Sequence, residues 1–559
     1  MSFEISRSHR AGFACALTAS ILAIGLVNAQ KGPRFYPDDP LATDNDSLLD
    51  ASGAQPRDLS EGYDFLTNTF GDSGDGQTIR AVNVNTLDEV PDSSWFTNRI
   101  GQRAMTVAEI VRGPDSVDRL AIDEWLVTRD KGPAGFQPGF RAVNANDNRP
   151  MGERTLYQLE LDTERYPDLA TSSEMIGTAL YHAIGYNVVD TYLVNVDPRK
   201  VRLAEGATVR DASGRRPMTM RDIEETFKLG ARNADGTYRM TASRFVEGRP
   251  MGNFTHFGTR PDDPNDIYPH EHRRELRGNR VFAAWINHDD SRALNTLDML
   301  VGDKGKAFIK HYLFDFGAIL GSSADRRASG FEYMIERNST LAGLFTLGLW
   351  TPSWQFADYP GGLYPYVGLI EADDFDAAEW KPSYPNRAFK NMRADDAFWA
   401  ARIVAQFTDE ALAAVVKKAQ FRDQRAADYI LATLIKRRDK VVQTWLTGVN
   451  PLINFRLAQD GTLTFENSAV NAKASTAGNG YAITWSRFDN ATNSHQSVGS
   501  EETVPSATAR TPQGLDTSQF VAVSVKSLHP DRPAWAEPVR AYFRRDGAGW
   551  RTVGLERQP

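Results

Sequence analysis

Residues Asn287–Gly317 read NHDDSRALNTLDMLVGDKGKAFIKHYLFDFG. Three polar clusters, His288-Asp289-Asp290, Asn295 and Asp315-Phe316-Gly317, are separated by apolar runs. Thr296–Val301 and Ala307–Phe314 flank the turn residues Gly302-Asp303-Lys304-Gly305. Strand, glycine-containing turn and strand predict a β-hairpin, which returns the chain to its start and sets Asp315 near Asn295. A carboxylate and an amide oxygen converging on one point suit Mg²⁺ beside a phosphate, because Mg²⁺ takes few protein oxygens and keeps water or phosphate oxygens. Asp290, five residues before Asn295, is placed to accept a proton from an attacking hydroxyl.

This arrangement resembles the catalytic loop of protein kinases, His-x-Asp-x-x-x-x-Asn, followed by a hairpin and Asp-Phe-Gly. By position, the resemblance makes Asp290 the catalytic base and His288 the loop histidine, and makes Asn295 and Asp315 the metal ligands. The middle position, usually arginine in the family, is Asp289 here. The resemblance implies an α+β, two-lobed fold and implies Mg²⁺ and ATP as cofactors. Its sharp motifs occupy only residues 288–317, although element order extends it over 120–446.

Upstream, Glu124–Thr128 and Phe140–Asn144 predict strands around the Gly- and Pro-rich turn 131–139. The turn lacks the G-x-G-x-x-G spacing, so a plain hairpin competes with a phosphate loop. Thr155–Leu161 predicts the next strand, Asp168–Ile184 a helix ended by Gly185, and Asn187–Asn195 a further strand. In the kinase layout, the strand 155–161 carries a lysine and the helix a glutamate. Glu174 matches that glutamate or, with Thr171, forms a capping box. No lysine stands in TLYQLEL; Glu160 occupies about that position. Lys131 is the first candidate for a substitute cation contacting nucleotide, with Arg141 and Arg154 as others. Residues 200–260 read as charged loops with a strand at Tyr238–Val246.

A helix from His270 to Asn287 is expected to be buried at its end and to deliver the loop. His270 and His272, two apart, do not share a helix face, so a zinc site is not expected. Residues 317–390 are irregular and aromatic-rich. They read either as packing or as an aromatic-lined substrate groove. Helices follow at Asp396–Phe407, Asp409–Ala419 and Arg425–Leu446, with Lys436–Lys440 expected on a solvated face. From about residue 450 the apolar period becomes two, which predicts a β-sandwich over 450–559.

The chain has 559 residues, 41% hydrophobic and 24% charged, with net charge −8. No dominating basic block exists, which argues against nucleic acid as a partner. Arg7 and Arg10, the apolar run Ala11–Val27 and Val27-Asn28-Ala29 have the form of a secretory signal peptide cleaved before Gln30. Cys15, the only cysteine, falls inside that leader, so the mature chain is expected to lack thiol chemistry, in a periplasmic or extracellular setting. Expected segments are a leader (1–29), a loop-rich extension (30–120), an N-lobe (121–248), a helical C-lobe (249–449) and the β-sandwich (450–559). Two functions remain open. One is an exported atypical kinase-like phosphotransferase acting on an unknown protein or small-molecule acceptor. The other is a pseudokinase-type binding or scaffold protein of the cell envelope, with the sandwich as docking module.

Overall fold

A computed structural model describes residues 32–71, 78–132, 137–323, 326–328, 330–351, 353–515 and 517–557. The expected leader and the centre of the Gly-rich turn, 133–136, lie outside the described residues. Elements alternate in type, giving an α+β fold with several β-sheets. The loop-rich extension carries α1 (Glu61–Phe70) and α2 (Val107–Arg112), the latter started by a Thr106/Glu109 capping box.

The first sheet has seven strands: β1 (Trp125–Asp130), β2 (Gly139–Asn144), β3 (Leu156–Leu161), β4 (Thr191–Val196), β5 (Val201–Asp211), β6 (Gly214–Pro217) and β7 (Tyr238–Arg244). Their order is β4-β7-β3-β2-β1-β5-β6. Helix α3 (Leu169–Ile184) follows β3 and is buried along nearly its whole length. The Asp162 carboxylate accepts from the Ala170 and Thr171 N–H groups at 2.9 Å, satisfying donors that a helix start leaves unpaired. Arg239 of β7 lies 4.0 Å from Asp162 and 3.7 Å from Asp168, so the buried acids are compensated. Thr171–Glu174 therefore lie inside the helix, and the capping-box alternative for Glu174 is corrected.

Three further expectations need correction. Residues 200–260 are not mainly loops: they hold β5, β6 and helix α4 (Met220–Lys228), packed on the first sheet. The His270–His272 stretch is a separate 3₁₀ turn, and α5 (Arg274–Ile286) starts after it. Arg437, assigned to a solvated face, is buried; it donates to the Trp285 and Glu371 carbonyls at 2.8 Å and to the Ala284 carbonyl. The last turn of a helix leaves carbonyls without partners, and Arg437 supplies the donors for α5.

After α5, β9 (Thr296–Val301) and β10 (Phe308–Leu313) form the expected hairpin, extended by β8 (Arg249–Gly252) into a three-stranded sheet. Helices α6 (Ala394–Val404), α7 (Asp409–Lys418) and α8 (Gln424–Trp445) pack with α3 and α5 in one large apolar core. Beyond α8 lie two sheets sharing one core. The first contains β11 (Leu452–Leu457), β12 (Thr462–Asn467) and β15 (Thr508–Arg510); the second contains β13 (Tyr481–Asp489), β14 (Ser494–Val504), β16 (Phe520–Ser527), β17 (Val539–Asp546) and β18 (Gly549–Arg557). Trp535 belongs to the helical core instead, and Phe35 of the extension packs on Tyr542, so this region is tied to the rest. Among the described residues, no helix is long and apolar enough to cross a membrane.

Helix α5 is fixed by buried ion pairs. Arg274 lies 2.8 Å from Asp88, 3.2 Å from Asp395 and 3.0 Å from Asp396, while Arg277 lies 3.4 Å from Asp396. Removing one partner of a buried pair leaves an uncompensated charge. Asp396→Ala is expected to destabilise the chain by about 3–5 kcal/mol in chemical denaturation. A change below about 1 kcal/mol would show that Asp395 and Asp88 alone suffice.

Candidate functional site

Helix α5 ends at Asn287, whose positive φ of 53° turns the chain into the loop. Trp380 Nε1 donates to Asn287 Oδ1 at 2.8 Å and holds that turn. His288 is buried; its Nδ1 lies 3.3 Å from the Tyr181 hydroxyl of α3, and its ring packs on Phe316. Burial pushes its pKa down to about 3. The ring is enclosed and supports the loop from within the core, so the catalytic assignment given to His288 is corrected to a positioning one. Asp289 also points away, accepting from Ser383 N at 2.6 Å and Ser383 Oγ at 2.7 Å.

Asp290 faces the other way and retains some exposure. Its carboxylate is 2.6 Å from Arg292 Nε and accepts from Asn295 Nδ2 at 2.9 Å. The same amide nitrogen donates to the Asp290 carbonyl at 2.8 Å. These bonds orient Asn295 and leave its Oδ1 with no donor among the described residues. Burial raises the Asp290 pKa, opposed by the Arg292 guanidinium.

The hairpin then brings Asp315 back. Leu313 pairs with Thr296, and Phe314 N donates to Asn295 O at 3.2 Å. Asp315 takes a left-handed conformation, φ 63° and ψ 61°, and Phe316 turns into the core against Tyr181, centroids 4.7 Å apart. A Cβ at Gly177 of α3 would stand 2.4 Å from Phe316 Cβ, so only glycine admits this packing. The Asp315 carboxylate has no hydrogen bond from the described residues. Burial and the neighbouring Glu160 push its pKa up to about 6; Asp290 also raises it, while Lys131 and Arg292 lower it. The Phe314–Asn295 bond and the effect of Asp290 on Asp315 set these residues in one neighbourhood.

The cation expected near Glu160 is Lys131, and the sheet register shows how it arrives. Asp130 pairs with Phe140, which puts Lys131 opposite Gly139; Gly139 pairs with Glu160. A Cβ on Gly139 would stand 2.1 Å from Leu159 O, so this close strand pairing needs glycine there, and the Lys131 ammonium forms an ion pair with Glu160. Arg141 and Arg154 turn elsewhere: Arg141 covers the Phe245 ring and Arg154 donates to Arg149 O. Glu174 accepts from Thr178 Oγ1 at 3.3 Å. Its pKa is raised to about 8 by burial, then by Asp315 and Glu160.

Two site residues escaped the sequence reading. Arg292 bridges Asp290 and Glu61 of α1, 2.5 Å from the latter, and covers the Tyr384 ring. Its signal is a basic residue two positions after Asp290 in a tight loop. Glu61 comes from the extension, and nothing local in the sequence announces that pairing. Among the described residues, no group of three or more His, Cys, Asp or Glu side chains is arranged to hold a metal ion. Asn295 and Asp315 are only two ligand residues, a donor set that suits Mg²⁺ when phosphate and water complete the shell.

No family model and no curated protein matches the chain. Among solved structures, the Helicobacter pylori proinflammatory kinase CtkA is similar at 12% identity, over 57% of this chain and 95% of that one, with a TM-score of 0.30. That is a weak likeness to a bacterial kinase structure, and it carries no argument about the site.

The raised acids set the pH dependence. Asp315 moves from 3.8 to about 6 and Glu174 from 4.5 to about 8. Their neutral forms contribute stability fully below about pH 4, and that stability is lost as pH rises through about 6 and then about 8. Glu174→Gln stays neutral. It should match the parent melting temperature near pH 5 and exceed it by several degrees near pH 8.5 in thermal denaturation. Parallel curves for the two proteins would refute the buried, protonated Glu174.

Proposed function

We propose that the chain is an exported, atypical kinase-like phosphotransferase, with the seven-stranded sheet region and the helical region as its two lobes. The observation that supports this is the proximity of Asp290 to Asn295 and to Asp315, with Lys131 paired to Glu160 beside Asp315. Asn295 Oδ1 and the Asp315 carboxylate would hold Mg²⁺, which supplies charge neutralisation for ATP phosphates. Lys131 lies where a phosphate oxygen can compete with Glu160 for the ammonium. Asp290 accepts the proton of an acceptor hydroxyl as that oxygen bonds to the terminal phosphorus and the bond to the leaving diphosphate breaks. Arg292 keeps Asp290 oriented. The acceptor is a protein or a small molecule bearing a hydroxyl group. Export to the periplasm or beyond rests on the pattern of residues 1–29.

A second reading, an envelope binding or scaffold protein, is favoured by one observation. Lys131 is already engaged by Glu160, and Glu160, Glu174 and Asp315 crowd the position where phosphates would lie. Anionic phosphate entering without a cation meets repulsion there.

The two readings separate by experiment. On the phosphotransferase reading, Mg²⁺ with ATP raises the melting temperature, as ligand linkage requires. Asp315→Ala abolishes that rise. Asp290→Ala keeps it and loses phosphoryl transfer by at least about a hundredfold. If neither nucleotide nor Mg²⁺ moves the melting temperature of the parent chain, the scaffold reading replaces this one.

A further inference from the structure

Strand register assigns the two faces of the first sheet. Phe140 and Ala142 of β2 lie in its apolar core with Phe227 of α4. Arg141 stands between them and therefore projects from the opposite face. Arg129 of β1 pairs with Arg141, and Thr208 of β5 pairs with Arg129. Arg210, two residues on from Thr208, pairs with Arg215 of β6. Paired positions share a face, so all four arginines lie on this one. Glu160 and Leu193 share it too, through Gly139 and Thr241. Leu193 packs into the helical core, and α3 lies on β3, β4 and β7. The helix takes that part of the face, and the arginines stand beyond it on β2, β1, β5 and β6.

Like charges directly opposite on neighbouring strands repel, and Arg129 stands opposite Arg141. The Nε atoms of both are buried and have no acceptor among the described residues. Arg141 donates to the Lys131 carbonyl at 3.5 Å and lays its guanidinium over the Phe245 ring. Burial and then Arg129 lower its pKa; Arg215 also lowers it, and Asp130 opposes them. Asp130 is itself 3.4 Å from Arg215, whose Nη1 donates to Thr208 Oγ1 at 3.2 Å. One carboxylate thus meets three guanidinium groups. Positive charge stays unmatched, and buried donors stay open for an acceptor.

We infer that Arg129, Arg141 and Arg215 bind a phosphate group on this face of the first sheet. Guanidinium forks match phosphate oxygens in pairs, and a phosphate brings more charge than the single Asp130 carboxylate. Arg141 lies two residues along β2 from Gly139, which pairs with Glu160. The site is therefore about 7 Å along the strand from the position facing the Lys131–Glu160 pair. A phosphorylated ligand held by the arginines reaches the candidate site. That ligand is a nucleotide or a phosphorylated acceptor, and the arginine site stands independently of the proposed transfer.

The test titrates the full chain with inorganic pyrophosphate by calorimetry, without Mg²⁺ and at constant ionic strength. One pyrophosphate per chain is expected. Arg129→Gln with Arg141→Gln should weaken its binding by more than about tenfold. The free double variant should melt no lower than the parent, because the substitutions remove a like-charge pair. Asp315→Ala should leave pyrophosphate binding in place. A parent chain that binds pyrophosphate but gains no melting temperature from Mg²⁺ with ATP keeps this inference and loses only the phosphotransferase reading. ATP that displaces pyrophosphate makes the bound phosphate the nucleotide's; pyrophosphate undisturbed by ATP makes it the acceptor's, and either result supports the site. No pyrophosphate binding by the parent, or equal binding by parent and double variant, overturns the inference.

Discussion

Arg274 lies buried among Asp88, Asp395 and Asp396, and the geometry of the loop 288–295 depends on it. A guanidinium without water must be matched by charge and by oriented acceptors. Its partners come from the extension and from α6, so the start of α5 is fixed between two distant parts of the chain. The other end of α5 is held by Arg437, through carbonyls the helix cannot satisfy itself. Arg273 adds a third contact, over the face of Trp95. A helix pinned at both ends delivers Asn287 in one orientation, and the side chains that follow it inherit that orientation: His288 inward, Asp289 to Ser383, Asp290 to Arg292 and Asn295.

Around Asp315 the balance of charge is unusual. Lys131 pairs with Glu160 and Arg292 pairs with Asp290, and among the described residues no cation forms an ion pair with Asp315 or Glu174. Both respond by rising in pKa. Like charges brought together out of water are relieved in two ways, by taking up protons or by taking up a cation. The first route describes the chain alone near neutral pH, where Glu174 is largely protonated. The second is what a kinase-like chemistry requires, and it explains why the scaffold and phosphotransferase readings share one set of residues.

The hairpin and its polar ends were legible in the sequence because every term agreed: alternating apolar residues, a glycine turn and polar residues at both ends. Buried helices α3 and α5 were legible from apolar faces in the same way. Strands β5 and β14 were not, since VRLAEGATVRD and SHQSVGSEETV lie largely exposed and carry little apolar alternation. Arg437 was assigned to solvent because its neighbours Lys436, Arg438 and Lys440 suggested a uniform charged face; only the packing of α8 on α5 singles it out. Lys131 was identifiable as a candidate but not as the choice. Its selection over Arg141 depends on strand register, which local pattern does not specify.

The loop-rich extension wraps distant parts of the chain, and its contacts give that wrap a mechanical sense. Phe35 packs against Phe488, Phe520 and Tyr542 in the C-terminal sheets. Ala51 and Ala54 pack on Met251 and Ile309 beneath the hairpin. Glu61 reaches Arg292, and Trp95 stacks on His311 of β10 at 3.5 Å. One continuous stretch with little regular structure of its own therefore touches the C-terminal sheets, the hairpin that returns Asp315 and the loop that carries Asp290. Such a segment gains order only from what it covers, and what it covers gains lost solvent exposure in return. The two polar ends of the hairpin and the Asp290 loop are held in register by a chain segment more than two hundred residues away in sequence. That long-range dependence is why the site cannot be reduced to the 31 residues that first announce it.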